Sequence, residues 1–173
     1  MPARLGHLRL DVADLARQTA FYTEALGLAV HERATDDESH YAFLTDEQPV
    51  EGGPPMHHRV VLRQAREPAP VPACAGTGSG GGAVPDGDGR LDHFAWEVDD
   101  EAELWSFVQR LRSMDVETDL QEAQIAWQCY FHDPEGNKLE IYCDRRFQPD
   151  GDPLWKGRQE DLPEDRLRAA ATG

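Results

Sequence analysis

From His7 to Val12 hydrophobic and polar residues alternate strictly, with Leu8, Leu10 and Val12 on one side and His7, Arg9 and Asp11 on the other. A period of two marks a strand with one buried face. At Asp14 the period changes. Leu15, Thr19, Tyr22 and Leu26 recur at helical spacing, Asp14 is placed to cap the first turn, and Gly27 is placed to end the last. Strand-like stretches follow at 28–34, 39–45 and 57–64, so this part of the chain predicts βαβββ. The pattern then repeats from Leu91. Phe94, Trp96 and Val98 oppose His93, Ala95 and Glu97; Asp100 precedes a helix with Leu104, Phe107, Val108 and Leu111 on its buried stripe. Strands are expected near 115–120, 125–133 and 138–143, the last two joined by Asp133-Pro134-Glu135-Gly136-Asn137, which is turn chemistry.

An internal repeat of this kind means two copies of one supersecondary unit. The expected organisation is a first βαβββ module over 1–64, a linker over 65–90, a second module over 91–143 and a polar tail over 144–173, giving an α+β fold. The linker is rich in Pro, Gly and Ala. Its Gly76-Thr77-Gly78-Ser79-Gly80-Gly81 matches the dinucleotide pattern, but Pro68, Pro70 and Pro72 precede it and no helical pattern follows, so it reads as a spacer. The tail predicts a short helix after Pro163.

Composition narrows the function classes. A formal charge of −16 over 173 residues argues against nucleic acid or an anionic membrane as partner, because both would repel the surface. Cys74, Cys129 and Cys143 are odd in number and lack metal-type spacing, which fits a reducing compartment. The residues around His7 lack the apolar core of a signal peptide, and no apolar run is long enough to span a membrane. The expectation is a cytoplasmic protein that acts on a small molecule, compatible with a homo-oligomer.

The repeat also organises the candidate chemistry. His7 and His93 open their modules at the same strand position, so pseudo-symmetry can aim both imidazoles at one point. Centring the hairpin turn on Glu135 pairs Tyr130 with Glu140, and directly opposed side chains lie about 5 Å apart at Cβ. Glu140 stands between Leu139 and Ile141, and a carboxylate with apolar flanks wants a cation. Two imidazoles and one carboxylate form the facial triad that holds non-haem Fe(II) with open positions. The expected metal ligands are therefore His7, His93 and Glu140. His31, His40 and His132 read as surface or strand residues, and Cys129 and Cys143 as core. Arg9 shares a face with His7 and either meets a substrate carboxylate or pairs with Asp11 or Glu97.

The segments LGHLRLDV…FYTEALGL, HHRVVL, LDHFAWEV and YFHDPEGNKLEIY resemble the vicinal oxygen chelate superfamily across residues 5–143. Within it the chain is most similar to type I extradiol ring-cleaving dioxygenases. That resemblance implies one vicinal oxygen chelate domain built from both modules, with Fe(II) on His7, His93 and Glu140. It puts an acid/base histidine at His58 and an active-site tyrosine at Tyr130, both also touching substrate, and it implies O2-dependent cleavage of a catechol to a semialdehyde. For His58 the ordinary alternative is a strand-end hydrogen bond. The short chain resembles single-domain L-DOPA 2,3-dioxygenases of antibiotic biosynthesis. It departs from the pattern at 119–128, where a further histidine is common in the family and none occurs. Two other classes share the scaffold. Glyoxalase-like members usually add a carboxylate where this chain has His57-His58-Arg59-Val60-Val61-Leu62, whereas Mn(II)-dependent fosfomycin-modifying enzymes use a similar His/His/Glu set. Bleomycin-resistance members bind an antibiotic without metal or catalysis.

Overall fold

The computed structural model describes residues 6–46, 57–66, 91–154 and 157–172. The expected linker falls largely outside the described residues, as do its glycine-rich pattern and Cys74. The chain divides into two compact units, 1–83 and 84–173.

The first unit runs β1 (Leu8–Asp11), α1 (Leu15–Leu26), β2 (Ala29–Thr35), β3 (Ser39–Thr45) and β4 (Val60–Ala65). Its sheet has the order β1-β4-β3-β2, with β1 parallel to β4 and the other pairs antiparallel. Asp14 caps α1 by accepting from the Arg17 amide at 2.9 Å. Gly27 ends the helix at φ 70°, a left-handed conformation that costs glycine little. Leu10, Leu62 and Ala42 lie in register, next to Val60 and Leu44, and Leu62, Ala42, Val60 and Leu44 are all but fully buried. Arg9, Val61 and Phe43 share the opposite face. In β2 the register shifts between Val30 and Glu32, so His31 is an extra residue in a bulge, and Glu32 is left opposite Phe43.

The second unit repeats the order: β5 (Phe94–Val98), α2 (Glu101–Ser113), β6 (Asp119–Ala123), β7 (Ala126–His132) and β8 (Lys138–Asp144). Two elements follow, β9 (Glu160–Asp161) and α3 (Glu164–Thr172). The sheet order β5-β8-β7-β6-β9 reproduces the first sheet with one edge strand added, and β5 is again parallel to β8. The α+β class and the doubled βαβββ plan therefore hold. The hairpin register is also as expected, with Tyr130 opposite Glu140. It is set by Asp133, whose Oδ1 accepts from the amides of Glu135 and Asn137, each at 2.9 Å, while Gly136 turns the chain at φ 86°.

One strand differs from the sequence reading. The strand expected at 115–120 is Asp119–Ala123, because α2 runs to Ser113 and its capping turn takes up the residues that follow. Asp115 takes φ 57°, its amide donates to the Arg112 carbonyl, and the Val116 amide donates to the Leu111 carbonyl at 3.0 Å. This is a Schellman ending made with aspartate where glycine is the usual signal. In the polar tail the helix expected after Pro163 forms, and the packing that the sequence left open is supplied by the second unit. β9 pairs with β6, α3 packs on α2, and Leu162 and Leu167 are buried. Arg145 is buried over the Trp127 ring and pairs with Glu101 and Asp150; Arg166 pairs with Asp150 and Glu122. Among the described residues no helix is long and apolar enough to cross a membrane.

Candidate functional site

In the second unit the sheet face away from Leu139, Ile141 and Cys129 carries two rows of polar groups. One row runs Ala95, Glu140, Tyr130 and Asp119 across four strands, and the next runs Glu97, Tyr142, Gln128 and Gln121. His93 precedes β5 by one residue, two positions before Ala95, and its ring reaches the same face. His93 Nε2 lies 2.8 Å from Glu140 Oε2, and its Nδ1 lies 2.5 Å from Asp92 Oδ2. A carboxylate at Nδ1 fixes the ring and presents Nε2 to a ligand, the arrangement common behind metal-binding histidines. The His93 hydrogen bond, and then the Lys138 charge, hold the Asp92 carboxyl below its usual range.

Glu140 is only 5% exposed. Its neighbours are the His93 imidazole and the Gln128 carboxamide, which donates to Oε1 at 2.9 Å. Leu139 and Ile141 are fully buried on the other face, each contributing about 1.5–3 kcal/mol, and this packing holds the carboxylate in place. A buried charge left without a cation costs on the order of several kcal/mol, so the position suits a bound cation. Nitrogen and carboxylate donors suit Fe(II) or Mn(II). A pocket of about 350 Å³ opens beside it, lined by Ala95, Gln128, Glu140, Tyr142 and Arg146 among others.

Tyr130 stands edge-on to His93, with ring centroids 5.4 Å apart, and Lys138 Nζ lies 4.5 Å over its ring. Burial, and then the Glu140 carboxylate, push its phenol up, so it remains a proton donor at neutral pH. Gln159, from the tail, donates to the Tyr130 hydroxyl at 3.4 Å and to Gln128 at 3.3 Å. The tail thus supplies a polar group to the face where 119–128 lacks a histidine.

In the first unit His7 precedes β1 by one residue, matching His93, and its ring lies 4.6 Å from that of His58. Burial, and then the neighbouring imidazoles of His7 and His57, pull His58 below the ordinary imidazole range. Arg9 lies 3.9 Å from Asp11, the plainer of its two expected roles, although Asp11 is closer to Arg63 at 3.3 Å. Cys129 and Cys143 are buried in the core, and burial pushes their thiols up to about 12 and about 11.

The structure thus brings His93, Glu140 and Tyr130 together in one unit and His7 and His58 together in the other. Among the described residues no group of three or more His, Cys, Asp or Glu forms a metal site by itself. Glu32, His57, Gln128 and Gln159 escaped the sequence reading. Of these, Gln128 was recoverable, since it lies two residues from Tyr130 on the same face.

Residues 4–141 match the family described as the Glyoxalase/Bleomycin resistance protein/Dioxygenase superfamily. No curated protein matches the sequence. Among solved structures, a glyoxylase/bleomycin resistance protein/dioxygenase domain from Frankia sp. EAN1pec is similar at 23% identity and TM-score 0.60, covering 84% of this chain and all (100%) of that one. The fosfomycin resistance protein FosX from Listeria monocytogenes, complexed with Mn(II) and a sulfate ion, is similar at 17% identity and TM-score 0.53, covering 83% and 93%. FosX from Mesorhizobium loti gives 16% identity and TM-score 0.52, covering 82% and 92%. At these identities the likeness concerns the fold alone, while the match over most of the sequence establishes that the chain belongs to the Glyoxalase/Bleomycin resistance protein/Dioxygenase superfamily.

Proposed function

We propose that the protein is an extradiol dioxygenase that opens a catechol ring with O2, using Fe(II) held by His7, His93 and Glu140. The observation that carries this reading is the buried Glu140 carboxylate against His93 Nε2, with the Tyr130 hydroxyl on the same face. Bound Fe(II), held by these three residues, would bind the diol and O2 and would lower the pKa of the diol.

The chain's own groups do the rest. His58, neutral at pH 7, takes a proton from the diol at a ring nitrogen and later returns it. Tyr130 keeps its proton and donates a hydrogen bond to a substrate oxygen. Gln128 and Asp92 hold Glu140 and His93 in position. Arg9 meets a substrate carboxylate if it leaves Asp11, which would favour an amino acid such as L-DOPA over a plain catechol.

A second reading, a Mn(II)-dependent fosfomycin-modifying enzyme, draws on the FosX structures above, one of which holds Mn(II). One experiment separates them. The protein is loaded anaerobically with Fe(II) and offered L-DOPA, dopamine, dihydroxyphenylacetate and catechol while oxygen uptake and product spectra are followed; a Mn(II)-loaded sample is offered fosfomycin. The expected result is O2 consumption with a yellow, pH-sensitive ring-opened product. No uptake with any catechol despite bound iron would overturn the dioxygenase reading, and fosfomycin turnover would replace it with the second.

A further inference from the structure

The first unit holds a chain of hydrogen-bonding groups that leads to His58, and the mechanism above does not use its first two members, Glu32 and His57. Glu32 Oε2 lies 3.0 Å from His57 Nε2, and His57 Nδ1 lies 2.8 Å from His58 Nδ1. The His58 ring in turn lies against that of His7. The local fold explains how these side chains meet. The bulge at His31 leaves Glu32 directly opposite Phe43, on the Phe43 side of the sheet. The segment before β4 is pinned to β3 by the Arg59 amide, which donates to the Leu44 carbonyl at 2.7 Å. Phe43 then meets both imidazoles edge-on, at 5.6 Å from His57 and 5.1 Å from His58, and the His31 ring backs His57 at 4.4 Å. Ring contacts on these sides limit how far either imidazole can turn.

We propose that Glu32 and His57 are positioning residues that fix which nitrogen of His58 carries its proton, leaving Nε2 bare. An ionised carboxylate only accepts, so the nitrogen facing Glu32, His57 Nε2, carries a proton. In a neutral imidazole the other nitrogen is then bare, so His57 Nδ1 accepts. The Nδ1 of His58 facing it must therefore be the donor, and in neutral His58 the lone pair is left at Nε2. Which nitrogen of a histidine is protonated is set by the hydrogen bond the other makes, and here a chain of three side chains makes that choice. A bare Nε2 is the form a general base needs before it takes a proton from a diol. That use of the lone pair rests on the dioxygenase reading; the proton arrangement does not.

The test is a two-bond 1H–15N correlation spectrum of the full-length, 15N-histidine-labelled protein without added metal. At pH 8 imidazoles of ordinary pKa are neutral. Variants at His57 and His58 assign the resonances. In the wild type His58 is expected to show a protonated Nδ1 and an unprotonated Nε2. In His57→Phe the acceptor is gone, and the His58 proton is expected to move to Nε2. Glu32→Leu keeps both rings and is expected to shift the same resonances in the same direction, so the test survives if His57→Phe fails to fold. In the Fe(II)-loaded protein His57→Phe is expected to lower kcat about 10- to 100-fold with KM little changed. A wild-type His58 protonated at Nε2, or a His58 pattern unchanged in both variants, would overturn the proposal. If the expected pattern holds while no catechol is consumed, the positioning stands and the dioxygenase reading fails.

Discussion

Replacing Glu140 with alanine is expected to cost the protein its iron and its turnover together. The carboxylate is 5% exposed, held between fully buried Leu139 and Ile141, and faced by an imidazole and a carboxamide. Tyr130, the residue opposite on β7, is no anionic substitute, because burial and the Glu140 charge keep its phenol protonated. Loss of the only anionic ligand proposed should exceed the roughly 10- to 100-fold effect of removing an outer hydrogen-bond partner such as Gln128. Iron content after gel filtration and oxygen uptake on the same sample check the prediction. Full iron retention in Glu140→Ala would remove Glu140 from the ligand set.

His58→Ala is expected to behave in the opposite way, keeping iron and losing turnover by about 10²- to 10⁴-fold, the range of a lost general acid or base. Burial, and then His7 and His57, lower the pKa of His58, so its neutral form persists as pH falls past the ordinary imidazole value. The acidic limb of kcat/KM in the wild type is therefore expected below the ordinary imidazole range, and the residual activity of the variant is expected to lack that limb. A variant with unchanged turnover would leave His58 with only its contacts to His7, His57 and Phe43.

Much of the fold was legible because the two modules use strong local signals. Strict alternation at His7–Val12, capping aspartates at Asp14 and Asp100, and a proline-glycine turn after Asp133 each specify one local geometry, and each appears in the structure. The start of β6 was placed too early because Asp115 adopts a left-handed conformation that sequence patterns usually assign to glycine. The helix expected after Pro163 appears as α3, whereas the packing of the tail was not legible. Its anchoring depends on Leu162 and Leu167 finding a surface on α2 and β6, and on ion pairs far apart in sequence, none of which a local pattern contains.

The candidate site divides along the same line. Tyr130 facing Glu140 followed from the turn, whereas His93 reaching Glu140 depends on the parallel pairing of β5 with β8, which no local pattern contains. The contacts of His57 with Glu32 depend on a bulge at His31, and a bulge reverses the alternation on which a strand reading relies. The reach of Gln159 to Tyr130 depends on where the tail packs.

One iron bound jointly by residues of both modules is the centre of the proposed function. Its most direct test is an anaerobic Fe(II) titration of the wild type and of His7→Ala, since His7 is the one ligand proposed from the first module. The expected result is one equivalent bound per wild-type chain and none retained by the variant. Undiminished iron binding by His7→Ala would contradict it, because the second module would then be holding the metal without the first.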